Sequence, residues 1–244
     1  HFPSTDRALV AWAGSGPTIN FVRARLYDVP TGAAFGSTLT LAQTAFTYVP
    51  EAALNTDTGN VFVAWMQNDP ATALPGNGWR PFGNGVNGGG QLVFTSAKRL
   101  SSTAGAYDAN SIAYNPISKT YFLVTHGADT LQDVGFEIGG DGTSLGTAAV
   151  VTSVTWPDLS GSFNPRIAAS TRQPQWLVST AASFQSMWTQ LIGGKDASVF
   201  GSFTLASSPK PTGGGVTGGG LNCGTGGTAC SVTFASSTSV TITA

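Results

Sequence analysis

Four apolar runs of one kind recur along the chain: Ala8-Leu9-Val10-Ala11-Trp12, Val61-Phe62-Val63-Ala64-Trp65, Tyr121-Phe122-Leu123-Val124-Thr125 and Trp176-Leu177-Val178-Ser179-Thr180. Their central residues, Val10, Val63, Leu123 and Val178, stand 53, 60 and 55 residues apart. Short apolar runs rich in β-branched and aromatic residues and bounded by turn residues read as strands. A fixed period of this size marks a repeat architecture. Three of the runs follow a second apolar run and a turn built of Asn, Asp, Ser, Pro or Gly, at residues 53–60, 113–120 and 168–175. That chemistry makes a hairpin.

A third strand is expected after each shared run, over Phe21–Val29, Leu92–Leu100, Val134–Ile138 and Met187–Ile192. A fourth is expected over Ser37–Ala42, Thr147–Ser153 and Gly201–Ser207, and is hard to see in the second unit. Each unit is therefore a four-stranded antiparallel meander, too small to bury both faces alone. Radial packing solves that problem and leaves short edges. The expectation is an all-β fold, a β-propeller of about four blades at residues 1–49, 50–107, 108–162 and 163–208. A sandwich is the competitor, but a sandwich does not need this repeat. The central strands should bury Val10, Val63, Leu123 and Val178 equivalently, with Ala53, Ala113 and Ala168 on matching first strands.

The first unit lacks its first strand, since only seven residues precede Ala8. That strand is open to supply from the C-terminal stretch, from another subunit, or from residues trimmed away. A Pro/Gly linker follows at 209–220, then a β segment at 221–244 with strands expected at Ser231–Ala235 and Ser239–Ala244. Docking of this segment on a neighbouring copy is slightly favoured over docking within the chain. With no signal-peptide pattern at its start, the sequence is expected to begin on a mature or trimmed chain.

Composition narrows the class. Charged residues are 9% and the net charge is −1, so no basic stripe supports nucleic-acid binding. No apolar run approaches the length of a membrane span. Cys223 and Cys230 are the two cysteines, and His1 and His126 the two histidines. Zinc needs four ligands, so a small disulfide loop in an oxidising compartment is favoured over a metal half-site.

The run Ala113-Tyr114-Asn115-Pro116 followed by Tyr121-Phe122-Leu123-Val124 resembles the A-Y-N-P-x-x-x-x-Y-L-V-V-W repeat of bacterial secreted β-propeller proteins. Residues 25–36 and 140–146 are similar to the R-L-D-A-D-G-x-x-L-G hairpin of that family, and the resemblance covers about residues 4–208. The cysteine-bearing tail is similar to repeats of large bacterial surface proteins, which continue with further strand, so the chain is expected to be a piece of a longer polypeptide. Both resemblances imply an extracellular or cell-surface bacterial protein, and neither implies catalysis.

Candidate chemistry is sparse. Gly142-Thr143-Ser144-Leu145-Gly146 matches G-x-S-x-G formally but sits in a repeat hairpin, not a strand-to-helix turn. Gly83 to Gly88 matches a dinucleotide fingerprint with no βαβ unit around it, and reads as a flexible loop. Oxygens alternate over Asn55 to Asn60 as in calcium loops, without the terminal Glu. His1 with His126 is a weak copper candidate, since imidazole suits copper. Asp108, Asp129, Asp133, Glu137 and Asp158 sit in unrelated contexts, and a glycosidase needs two carboxylates across one cleft. The insertion Asn68–Gly90 is expected to be a long loop, whose Trp79, Arg80, Phe82 and Asn84 are the candidate ligand-binding residues.

The resulting expectation is a non-catalytic extracellular structural or adhesive module without cofactor. Its partners would be copies of itself, to the point of a filament or surface layer, other surface proteins, or glycans. The alternatives are a carbohydrate-binding lectin-like propeller and a polysaccharide-active enzyme with copper at His1 and His126.

Overall fold

The computed structural model describes residues 1–16, 19–44, 47–68, 79–101, 107–127, 132–145, 149–151, 165–183, 186–193, 203–206, 212 and 214–234. Every regular element among them is a strand. The first sheet runs β1 (Arg7–Ser15), β2 (Asn20–Asp28), β3 (Ala34–Thr44), and the second β4 (Thr47–Leu54), β5 (Val61–Asn68), β6 (Trp79–Val86), β7 (Lys98–Arg99). The third runs β8 (Tyr107–Asn115), β9 (Thr120–Gly127), β10 (Gln132–Gly139), β11 (Ala149–Val150), and the fourth β12 (Arg166–Ala169), β13 (Gln175–Ser183), β14 (Ser186–Gly193). All pairings are antiparallel between neighbours in sequence. These four sheets are the blades of the propeller, and the first begins on the shared strand β1, one strand short as its sequence indicates.

The hairpin turns are built as their residues dictate. Asn55 Oδ1 accepts from the backbone N–H of Asp57 and Thr58, at 3.0 and 3.1 Å. Asn115 Oδ1 accepts from Ile117 and Ser118, at 2.8 and 3.1 Å. Ser170 Oγ accepts from Arg172 and Gln173 in the third copy, at 3.2 and 3.1 Å. A short side-chain acceptor that satisfies its own turn is why Asn and Ser recur there. Asn115 also reaches the next blade, donating from Nδ2 to the carbonyls of Gln173 and Gln175 at 2.7 and 3.0 Å.

Strand periodicity then assigns each face to one neighbour. On β5, Val61, Val63 and Trp65 join Val22, Ala24 and Leu26 of the first blade in one core cluster. The alternate residues Phe62, Ala64 and Met66 join Ile112, Tyr121 and Leu123 of the third blade in another. On β9 the same rule sends Phe122 and Val124 to Trp176 and Val178 of the fourth blade. Val63, Leu123 and Val178 are fully buried as expected. Val10 is not: it is 47% exposed, on the face of β1 turned away from the second blade. Leu177, 46% exposed, and its cross-strand partner Ala168 lie exposed on the face of the fourth blade turned away from the third. No core cluster among the described residues joins the fourth blade to the first.

Glycines inside strands make room for rings. Phe62 lies over Gly83 and Phe122 over Gly135, where any added Cβ would fall inside the ring. Thus Gly83 and Gly85 belong to the blade strand β6, not to a flexible loop. The long insertion read at Asn68–Gly90 gives way to strand over Trp79–Val86, while 69–78 lie outside the described residues. The fourth strand of this blade is β7, with Val86 bridged to Leu92.

In the tail, β16 (Gly215–Gly218), β17 (Leu221–Gly224) and β18 (Gly227–Ala229) form a small sheet, and Cys223 is disulfide-bonded to Cys230. The strand β19 (Ser231–Phe234) pairs antiparallel with β15 (Phe203–Ala206) of the same chain. This differs from a strand added to the first blade or to a neighbour. The expected run Ser239–Ala244 and much of 194–211 lie outside the described residues.

Candidate active site

The innermost strands of successive blades, β4, β8 and β12, lie side by side. Two of them carry a bulge at matching places. On β4 the register slips between Tyr48 and Glu51, so that Val49 and Pro50 stand against one residue of β5. Proline has no N–H to give the ladder and is tolerated at a bulge. On β8 it slips between Tyr107 and Asn110, so that Asp108 and Ala109 stand opposite His126. Bulges gather beside active sites because they re-aim side chains.

Each bulge carries an acid, Glu51 at the end of one and Asp108 within the other. Arg166, the first residue of β12, donates from Nη1 to Glu51 Oε1 at 3.0 Å. This pair joins the fourth blade to the second. With the third blade packed between them, the path runs round the inner edge at β8. Both groups keep water access, with side-chain exposures of 62% for Arg166 and 31% for Glu51. Such a pair adds little stability; what it does is fix the position of one carboxylate at the inner edge.

Behind the β8 bulge, His126 and Asp133 are cross-strand neighbours on β9 and β10. His126 Nδ1 and Asp133 Oδ1 are 3.1 Å apart, and the residues are 4% and 2% exposed. A buried carboxylate on an imidazole fixes ring orientation. Beside them on β8, Asn110 is 6% exposed and its Nδ2 has no partner, while its cross-strand neighbour Thr125 is likewise buried with Oγ1 unpartnered.

The arrangement sorts the residues singled out from sequence. Arg80 is buried and donates to the Ser101 carbonyl. Asn84 is 1% exposed and bonds the Phe94 backbone both as donor and as acceptor, at 3.1 and 3.2 Å. Trp79 packs on the cluster between the second and third blades, Phe82 on that between the first and second. The two histidines serve different partners, His1 pairing with Asp6 at 3.0 Å and His126 with Asp133. Among the described residues no group of three or more His, Cys, Asp and Glu is placed to hold a metal. Gly142 and Ser144 stay in the β10 hairpin, with Ile138 bridged to Ser144. Asp57 accepts from the Tyr114 hydroxyl at 3.1 Å, tying the Asn55 turn to the third blade. Glu137 accepts from Thr120 Oγ1. It stands four residues from Asp133 on one strand, about 13 Å away, too far for a catalytic pair. Asp129 and Asp158 lie outside the described residues. Sequence reasoning missed Glu51 and Arg166; the Val49-Pro50 step before Glu51 was the available signal.

No protein-family model matches the chain, and no curated protein matches it. Solved structures do. A Hadza microbial sialidase aligns over 78% of this chain and 42% of its own, at a TM-score of 0.51 and 6% identity. An α-L-arabinofuranosidase from Lactobacillus brevis aligns over 80% and 66%, at 0.49 and 10%. A GH43 endo-arabinanase from Bacillus licheniformis aligns over 78% and 71%, at 0.44 and 10%. The chain thus spans less than half of the sialidase and just under two thirds of the arabinofuranosidase. At these identities the likeness shows the fold, a β-propeller. The proteins so folded are named as glycan-cleaving enzymes, and this corrects the expectation of a non-catalytic structural or adhesive module.

Proposed function

We propose that the chain is a secreted propeller enzyme that cleaves glycosidic bonds at the inner edge of its second and third blades. The observation that carries this reading is that Glu51, next to the β4 bulge and held by Arg166, and Asp108, within the matching bulge of β8, stand on neighbouring inner strands. Glycoside hydrolysis needs two carboxyl groups across one bond, one protonating the leaving oxygen and the other ionised as base or nucleophile. Glu51, held by the Arg166 guanidinium, is assigned the base or nucleophile role. Asp108, in the bulge opposite His126, is assigned the proton-donor role. The disulfide supports an oxidising compartment.

The test is release of new reducing ends from arabinan, xylan, galactan and a sialylated oligosaccharide. Glu51→Gln and Asp108→Asn should each lower the rate by at least about 100-fold, and Arg166→Gln by less. Wild-type protein inert on every substrate, or the two acid variants as active as wild type, would overturn the reading.

A further inference from the structure

The outward face of the first blade departs from its repeat. Each blade turns one face toward the blade before it. On the third strands that face carries Phe82, Asn84 and Val86 in the second blade, and Val134, Phe136 and Ile138 in the third. Five of these six are apolar and pack on the preceding blade. Matched through the cross-strand partners of Val10, Val63 and Leu123, the first blade carries Arg23, Arg25 and Tyr27 there. Trp12 lies opposite Arg23 and Val10 opposite Arg25.

A face meant to receive another blade would bury two guanidinium groups, at heavy cost without anions to pair them. Neither Arg23 nor Arg25 is paired with a carboxylate among the described residues, and the Nε of each is buried without a partner. Both are nevertheless held flat against the sheet. The Arg23 guanidinium lies 4.1 Å from the centre of the Phe21 ring, and Arg25 donates from Nη2 to the Gly36 carbonyl at 3.1 Å. Two residues apart on one strand, they stand about 7 Å from each other, on the same face of the sheet as Trp12 and Tyr27.

We propose that this face binds an acidic polysaccharide. Planar guanidinium groups recognise carboxylates through paired hydrogen bonds. Trp and Tyr rings supply flat apolar surface on which the CH face of a sugar ring packs. Preformed placement of the arginines lowers the ordering cost that long cationic side chains otherwise add. The site goes beyond the glycosidase reading and stands without it, since none of its residues belongs to the inner edge of the second and third blades.

The experiment titrates the full chain with polygalacturonate by calorimetry, with a neutral galactan and single-stranded DNA as comparisons. Wild-type protein should bind polygalacturonate, weaken as salt is raised, and bind galactan at this face not at all. Arg23→Gln and Arg25→Gln should each weaken binding about tenfold and together about a hundredfold. Arg23→Lys with Arg25→Lys should keep part of the affinity, which controls for folding, as do matching melting curves. Glu51→Gln should bind as wild type while losing hydrolysis. The proposal is overturned if the double Gln variant binds like wild type, if wild type does not bind, if DNA binds as tightly, or if Glu51→Gln abolishes polymer binding.

Discussion

Val63→Ala, compared with Val10→Ala, tests directly whether the outer face of the first blade is uncovered, because the two residues are equivalent by repeat and differ in what lies over them. Val63 is 0% exposed between two blades, and Val10 is 47% exposed. Truncating Val63 removes two buried carbons, at about 0.8 kcal/mol each. The cavity left in a two-sided core adds about 1 kcal/mol, for a total of about 2.5 kcal/mol. At Val10 half of the transfer loss is already absent and no cavity forms, so about 0.8 kcal/mol is expected. For a domain of this size each kcal/mol is about 2–4 °C in Tm, so the shifts should be about 5–10 °C for Val63 and about 2–3 °C for Val10. Val178→Ala, fully buried against the third blade, should follow Val63. Thermal unfolding followed by tryptophan fluorescence reads all three. Equal losses at Val10 and Val63 would mean that something covers the outer face of the first blade.

Three further outcomes follow from side-chain geometry. Gly135→Ala drives a Cβ into the Phe122 ring, which is pinned against Trp176 with ring centres 5.4 Å apart, and should cost about 1–3 kcal/mol by chemical denaturation. Asn115→Ala removes one of the two donors to each of the Gln173 and Gln175 carbonyls, the backbone N–H groups of Gln175 and Ser170 remaining, and should cost about 1–2 kcal/mol at this fully buried position, whereas Ser170→Ala, at a half-buried turn whose side chain bonds only its own turn, should cost under about 1 kcal/mol. Burial pushes the Tyr121 hydroxyl up from 10.0 to about 12, partly offset by a hydrogen bond with Asn55. Its folded pKa lies above the unfolded one, so its contribution is complete below pH 10 and is lost as pH rises toward 12. Tyr121→Phe should flatten that loss in denaturation midpoints measured across this range.

The fold was legible where the repeat left apolar runs at matched spacing. Val63, Leu123 and Val178 could be aligned from sequence, and so could the Asn55, Asn115 and Ser170 turns. The strand Trp79–Val86 was not, because Pro81, Gly83 and Gly85 are the residues of loops. Here the glycine answers to packing, since Phe62 of the partner strand needs its space, and that partner is remote in sequence. The same limit hid the candidate site. Glu51 and Asp108 are ordinary acids on ordinary strands until two register slips bring them to neighbouring inner edges. The expected function rested on motifs and spacing along the chain, and how the inner strands of different blades stand beside one another is written in no local pattern.

Because each strand gives one face to the blade before and the other to the blade after, the protein behaves energetically as a short linear chain of units coupled only to nearest neighbours. The middle of such a chain has two couplings and its ends have one. β5, buried on both sides from Val61 to Gln67, should therefore exchange its amide hydrogens most slowly of all. Exchange should quicken toward β1 and toward β13, whose outer faces expose Val10 and Leu177. Among these four blades the second and third, which carry Glu51 and Asp108, should then be the last to open.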